Sequence, residues 1–142
     1  MKYINKEDLL VDIQEPILNE SICGSNGNTD DSILDKIEIS TIDLVISCIS
    51  GRYKTDDIFN TPIRNGVLVQ IICAIVICRA ISRNARRKVP DDNQTKYDKA
   101  IKALEKIQAG TMTLENCPII TAADGTTSGL VYGNNTKDEF FI

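Results

Sequence analysis

The chain has no histidine and no tryptophan among its 142 residues. Without histidine, Ser-His-Asp and Cys-His catalysis are excluded and the commonest transition-metal ligand is missing. Aromatic residues are 5% of the chain, too few for a platform on which bases or sugars stack. Long apolar runs are missing too. The longest runs from Val67 to Cys78, broken by Gln70. It is shorter than the roughly 18 residues a membrane span needs. The opening Met1-Lys2-Tyr3-Ile4-Asn5-Lys6-Glu7-Asp8 lacks the apolar core of a signal peptide. Together these absences predict a soluble, intracellularly made protein with no membrane partner.

Neither sign of charge dominates. Lys plus Arg is 16, Asp plus Glu is 20, and the net charge is −4. That balance does not suggest a dedicated nucleic-acid binder, but it permits a local basic patch. The five cysteines are Cys23, Cys48, Cys73, Cys78 and Cys117. None of them forms a C-x-x-C pair, and the Cys73–Cys78 spacing suits neither zinc nor a redox motif. Three lie within apolar helical patterns, which predicts small buried hydrophobes kept reduced. A reactive thiol would need a neighbouring Lys or Arg to activate it.

The length is that of about one domain, and 42% hydrophobic with 25% charged residues is an ordinary globular balance. Asn5 and Asp8 are spaced to cap a first short helix carrying Leu9, Leu10 and Ile13. Pro16 starts a second short turn, and Cys23 to Asn28 is a loop by composition. Thr29 is the expected cap of a long helix, with Asp30 and Asp31 in its first turn and Gly51 as its stop. Ile33, Leu34, Ile37, Thr41, Leu44, Val45 and Cys48 make one stripe on it. Ile39, Ile42, Ile46 and Ile49 make a second, so apolar side chains cover roughly 240°. The second stripe packs under another element or meets a neighbouring subunit.

Thr55 to Asn60 is expected as a polar loop, and Thr61-Pro62 as the start of the next helix. That helix is apolar nearly all round, which makes it the central one. Arg79, Arg83, Arg86, Arg87 and Lys88 then gather positive charge at its end. They either complement the helix dipole and solvate that end, or contact an acidic partner or DNA phosphates. Pro90 ends the segment, and Asp91 or Asp92 is expected to cap the last helix. Tyr97, Ala100, Ile101, Leu104, Ile107 and Gln108 form its narrow stripe, Asp98 and Lys102 a favourable pair, and Gly110 its cap.

The composition changes after Gly110. From Thr121 to Thr136 the chain is rich in Gly, Thr, Ser and Asn, and it reaches Phe140-Phe141-Ile142 after Asp138-Glu139. The run Leu130-Val131-Tyr132 and that apolar end favour an arm that orders on a partner over a disordered tail. The expected architecture is all-α: a helical domain over 1–115, built from about four helices, and an extended C-terminal arm over 116–142.

Chemical motifs are mostly negative. The loop from Asn26 resembles the start of a calcium loop, but Asp31 stands where glycine is needed and Ile37 where the bidentate acid belongs. Gly125 to Gly129 lacks the Gly-Lys-Ser/Thr of a phosphate loop. No acid pair has an apolar setting. The short first helices carry Lys6, Glu7, Asp8 and Glu15, mostly the wrong sign for a DNA groove. The residues alone predict a non-enzymatic helical domain without a cofactor or metal.

Several stretches, in order, resemble the Mu-like bacteriophage head–tail connector proteins. They are Tyr3 to Leu9, the Gly-Asn loop into Asp30-Asp31-Ser32-Ile33-Leu34, Gly51-Arg52-Tyr53, Asn65 to Arg79, Val89-Pro90, and Tyr97 to Gly110. The resemblance covers about residues 3 to 118. Asn26 and Asn28 stand where Asp is common in the family, and the loop after Tyr53 lacks its usual Leu-Pro.

The resemblance implies a helical adaptor that forms a ring, typically of twelve copies, in the neck of the virion, having been made in the host cytoplasm. Its implied partners are itself, the portal, a tail or stopper protein, and genomic DNA sliding through the channel. The interaction residues expected are Arg79, Arg83, Arg86, Arg87 and Lys88, then Ile39, Ile42 and Ile46, and in the arm Leu130, Val131, Tyr132, Phe140, Phe141 and Ile142. The competing reading is a nucleic-acid-binding or DNA-packaging accessory protein resting on the basic cluster. A cysteine enzyme ranks third.

Overall fold

Asn5 opens the first helix as its neighbours dictate. Its side chain accepts from the Asp8 backbone N–H at 2.9 Å, and the Asp8 carboxylate accepts from the Asn5 N–H at 2.9 Å. This reciprocal capping box starts α1, Lys6–Leu10. The computed structural model describes residues 1–60, 63–83 and 88–120. The remaining helices there are α2 (Glu15–Ser21), α3 (Asp31–Ile49), α4 (Thr55–Phe59), α5 (Gly66–Ser82) and α6 (Asp91–Ala109). No strand forms among the described residues; isolated bridges join Cys23 to Thr29 and Tyr53 to Ile119. The all-α expectation holds, with six helices among the described residues rather than about four.

α5 is the centre. It touches α1, α2, α3 and α6, and α3 also touches α6. Its β-branched residues favour strand locally. Burial on every side overrides that: Leu68, Ile72, Ile75, Val76 and Ile81 are all fully buried. No helix among the described residues is long and apolar enough to cross a membrane.

Four helix boundaries differ from the sequence reading. Asp30, not Thr29, caps α3, accepting from the Ser32 N–H at 3.0 Å while Thr29 bridges to Cys23. α3 stops at Ile49 with Ser50 in a helical conformation, so Gly51 is not needed as a left-handed stop. The cap of α5 is Asn65, whose side chain accepts from Val67 and Leu68. Thr61-Pro62 lies outside the described residues. α6 follows Pro90 with no side-chain cap; Asp91 and Asp92 sit in its first turn, where the dipole favours them.

α4 replaces an expected loop. Its Asp56 and Asp57 hide a buried Ile58, and five residues are too few to show a period. Gly110 does cap α6, at φ +89°. That left-handed backbone favours glycine, and a Cβ there would stand 3.0 Å from Arg52 Nη1, which would have to shift slightly. Within α6, Ala100, Leu104 and Ile107 are buried as expected, but Gln108 is exposed, and Asp98 accepts from Gln94 at 3.2 Å.

Stability should fall with acid. Burial opposes ionisation of Asp8, but the Arg64 guanidinium and the Asn5 N–H outweigh it and hold the carboxyl below its ordinary value. A depressed folded pKa stabilises above the unfolded value of about 4 and is lost as pH falls through the folded one. Tm measured by circular dichroism should therefore drop below about pH 4, and Asp8→Asn should flatten part of that slope.

Candidate interaction surface

The long helix α3 carries both apolar stripes expected of it, but the structure divides them differently. Its core line is Leu34, Glu38, Thr41, Val45 and Ile49. Of the second stripe, Ile49 is fully buried, Ile42 and Ile46 are half-buried, and Ile39 is 52% exposed. At 100° per residue, Ile39, Ile42 and Ile46 fall within about 60° of one another. They form an apolar ridge that the described residues cover only in part.

The basic cluster is less free than its sequence suggests. Arg79 is half-buried and donates to Ser40 Oγ at 2.9 Å and Thr41 Oγ1 at 3.4 Å, fastening α5 to α3. Arg83 donates to the Ser21 carbonyl at 2.6 Å, closing the end of α2. Lys88 is exposed. Arg86 and Arg87 lie outside the described residues, as do Leu130, Val131, Tyr132, Phe140, Phe141 and Ile142. Arg79 and Arg83 thus join helices within one chain, a role between the two readings of the cluster.

Two clamps were not anticipated. Glu38 is buried in the core line of α3. Its carboxylate accepts from the backbone N–H groups of Lys2, Tyr3 and Ile4 at 2.7, 2.9 and 2.9 Å. This fixes the N-terminal segment. Tyr3 then donates its hydroxyl to the Ile63 carbonyl at 2.8 Å and accepts from the Asn65 N–H at 3.1 Å, at the start of α5. Burial pushes its phenol above the ordinary range, so it stays protonated.

The second clamp is Arg52-Tyr53-Lys54. Arg52 Nη1 donates to the Ile107 carbonyl at 3.1 Å. The buried Tyr53 hydroxyl accepts from the Leu114 N–H at 2.8 Å. Lys54 N–H donates to the Pro118 carbonyl, and Ile120 N–H donates to the Arg52 carbonyl. Asn65 Nδ2 also donates to the Glu115 carbonyl at 2.8 Å. Residues 111–120 are therefore held to the helical domain. The rest of the expected arm, 121–142, lies outside the described residues.

Sequence reasoning also missed a groove. It is open, encloses about 450 Å³, and lies between the end of α1, the first half of α5 and the middle of α6. Its floor includes Ile71, Ala74, Ala100 and Ala103. Lys96 pairs with Asp12 at 2.8 Å across it. The signal for it was present: small alanines at packing positions leave space between helices.

The cysteines are free thiols. Burial raises the pKa of Cys48, Cys78 and Cys117, and pushes Cys73 up to about 12. They stay neutral at pH 7, which makes them poor nucleophiles. Cys23 Sγ donates to the Gly27 carbonyl at 3.0 Å. Among the described residues, no three Cys, Asp or Glu side chains come together to hold a metal.

Among the described residues, these elements define an all-helical domain with two backbone clamps and a partly exposed apolar ridge. A family model described as Bacteriophage Mu, Gp36 matches residues 3–125, which takes in every helix among the described residues and both clamps except the Lys2 donor. The chain belongs to the bacteriophage Mu Gp36 family. No curated protein matches it.

Proposed function

We propose that this phage protein is a non-enzymatic structural component of the virion, a ring-forming connector between the portal and the tail or a stopper ring. The observation that carries this reading is the α3 ridge of Ile39, Ile42 and Ile46, which the described residues leave partly exposed, Ile39 at 52%, in a chain of a Mu phage family. Apolar surface of this kind suits burial against a neighbouring copy. In a ring the contact is heterologous and closes by rotation. The partners are other copies, portal, and a tail or stopper protein, with genomic DNA passing through the channel.

The test is the mass of the purified protein, alone and mixed with purified portal. Closed multi-copy rings, or co-migration with portal, are expected. A monomer that ignores portal and binds DNA with a steep salt dependence would establish the packaging reading instead.

Two variants refine the test. Deleting residues 121–142 should abolish assembly and leave helix content unchanged by circular dichroism. The cut belongs after Ile120, because Ile119 and Ile120 pair with Tyr53 and Arg52. Reversing charge at Arg86 and Arg87 should weaken assembly at least several-fold by the same mass measurement. Wild-type assembly would assign these two arginines to solvation.

A further inference from the structure

The groove between α1, α5 and α6 is apolar at its floor, with Val67, Ile71, Ala74 and Met112 among its lining. Its α6 rim carries Lys96 and Lys99. Lys96 is engaged by Asp12, whereas Lys99 is exposed and has no ion pair among the described residues. The groove therefore presents apolar surface beside one unneutralised cation. A ligand that fits must be apolar, narrow enough to enter beside alanines, and acidic on one flank.

The chain carries such a segment itself: Asp138-Glu139-Phe140-Phe141-Ile142 places two acids directly before three large apolar residues. The last described residue, Ile120, is tied to Arg52. The twenty residues from there to Phe140 can span roughly 65 Å when extended. A folded domain of 120 residues has a radius of gyration of only about 14 Å. Any point on the domain is within reach. A tethered segment also faces its own groove at an effective concentration in the millimolar range, without needing a second molecule.

We infer that in the unassembled protein the Asp138–Ile142 segment docks into this groove of its own chain. Phe140 and Phe141 cover the alanine floor, and Asp138 or Glu139 meets Lys99. The docking covers the two aromatic rings until assembly. It stands apart from the connector reading, since it is a property of the single chain and needs no portal.

The test uses the full chain with a benzophenone amino acid in place of Phe141. Equal amounts of nitrogen-14 and nitrogen-15 protein are mixed at a dilution where the mass is that of one chain, then irradiated. Same-isotope cross-links from residue 141 to residues 67–74 and 96–103 are expected. Mixed-isotope cross-links would show that a neighbour's segment fills the groove, and cross-links elsewhere would show that nothing of this segment does. Either result overturns the inference. Lys99→Glu should lower the cross-link yield about three- to fivefold, in keeping with an exposed charge pair. Adding Glu139→Lys should restore it. An unchanged yield in Lys99→Glu would remove the charge argument and overturn the pairing. Failure of the protein to form rings with portal would sink the connector reading and leave this result untouched.

Discussion

Replacing Glu38 by alanine should destabilise the folded chain by about 3–5 kcal/mol, from the loss of charge-assisted hydrogen bonds and the exposure of unmet donors. The carboxylate is buried and accepts from three consecutive backbone N–H groups. The Tyr3 and Ile4 donors are buried themselves, so water cannot replace the lost acceptor without opening the structure. Glu38→Gln should cost less. It keeps an oxygen for Tyr3 and Ile4, while its amide turns a donor toward the Lys2 N–H. Urea unfolding checks both, read as a shift in midpoint at constant slope. A loss under about 1 kcal/mol for the alanine variant would mean that the N-terminal segment is not part of the cooperative unit.

The second large effect is expected at Tyr53. Tyr53→Ala should cost about 3–5 kcal/mol through the cavity it leaves. Tyr53→Phe isolates the hydroxyl. It leaves the buried Leu114 N–H without an acceptor, at a cost of about 1–3 kcal/mol. Hydrogen exchange locates the effect: the Leu114 amide should lose protection in Tyr53→Phe, and the Lys54 and Ile120 amides should follow in Tyr53→Ala. Protection unchanged at Leu114 would mean that residues 111–120 are held by other contacts. This clamp bears on function, because it sets where the arm leaves the domain.

Much of the architecture was legible in the chain. The Asn5–Asp8 capping box, Pro16 at the start of α2, the all-round apolar α5 and Gly110 after α6 all stand where local rules put them. Such signals act within one turn of helix, between residues three or four apart. α4 was not legible, since five residues led by Thr55-Asp56-Asp57 read as polar loop. The cap of α5 was misplaced because Thr61-Pro62 is a stronger local signal than Asn65. Asn65 is fixed by its bond to Glu115, fifty residues away.

The interaction surface was legible only in part. The apolar excess on α3 was evident, but not which half of it would remain uncovered. That depends on how α5 and α6 lie against α3. The five basic residues read as one patch, yet Arg79 and Arg83 are committed to α3 and α2 by contacts 39 and 62 residues apart in sequence. Glu38 could not be recognised as a clamp, because its three donors come from the chain's first few residues, 34 to 36 positions away.

By itself, the sequence determined the helical class, the central helix, the lack of histidine chemistry and the resemblance to a Mu-like phage family. All of these rest on composition or on spacings of a few residues. Tertiary structure alone decided the roles of Glu38, Arg52, Tyr53 and Asn65, the neutrality of the buried thiols, the groove between α5 and α6 and the exposure of Ile39. Each depends on burial or on a partner distant in the chain, and neither quantity exists until the helices pack.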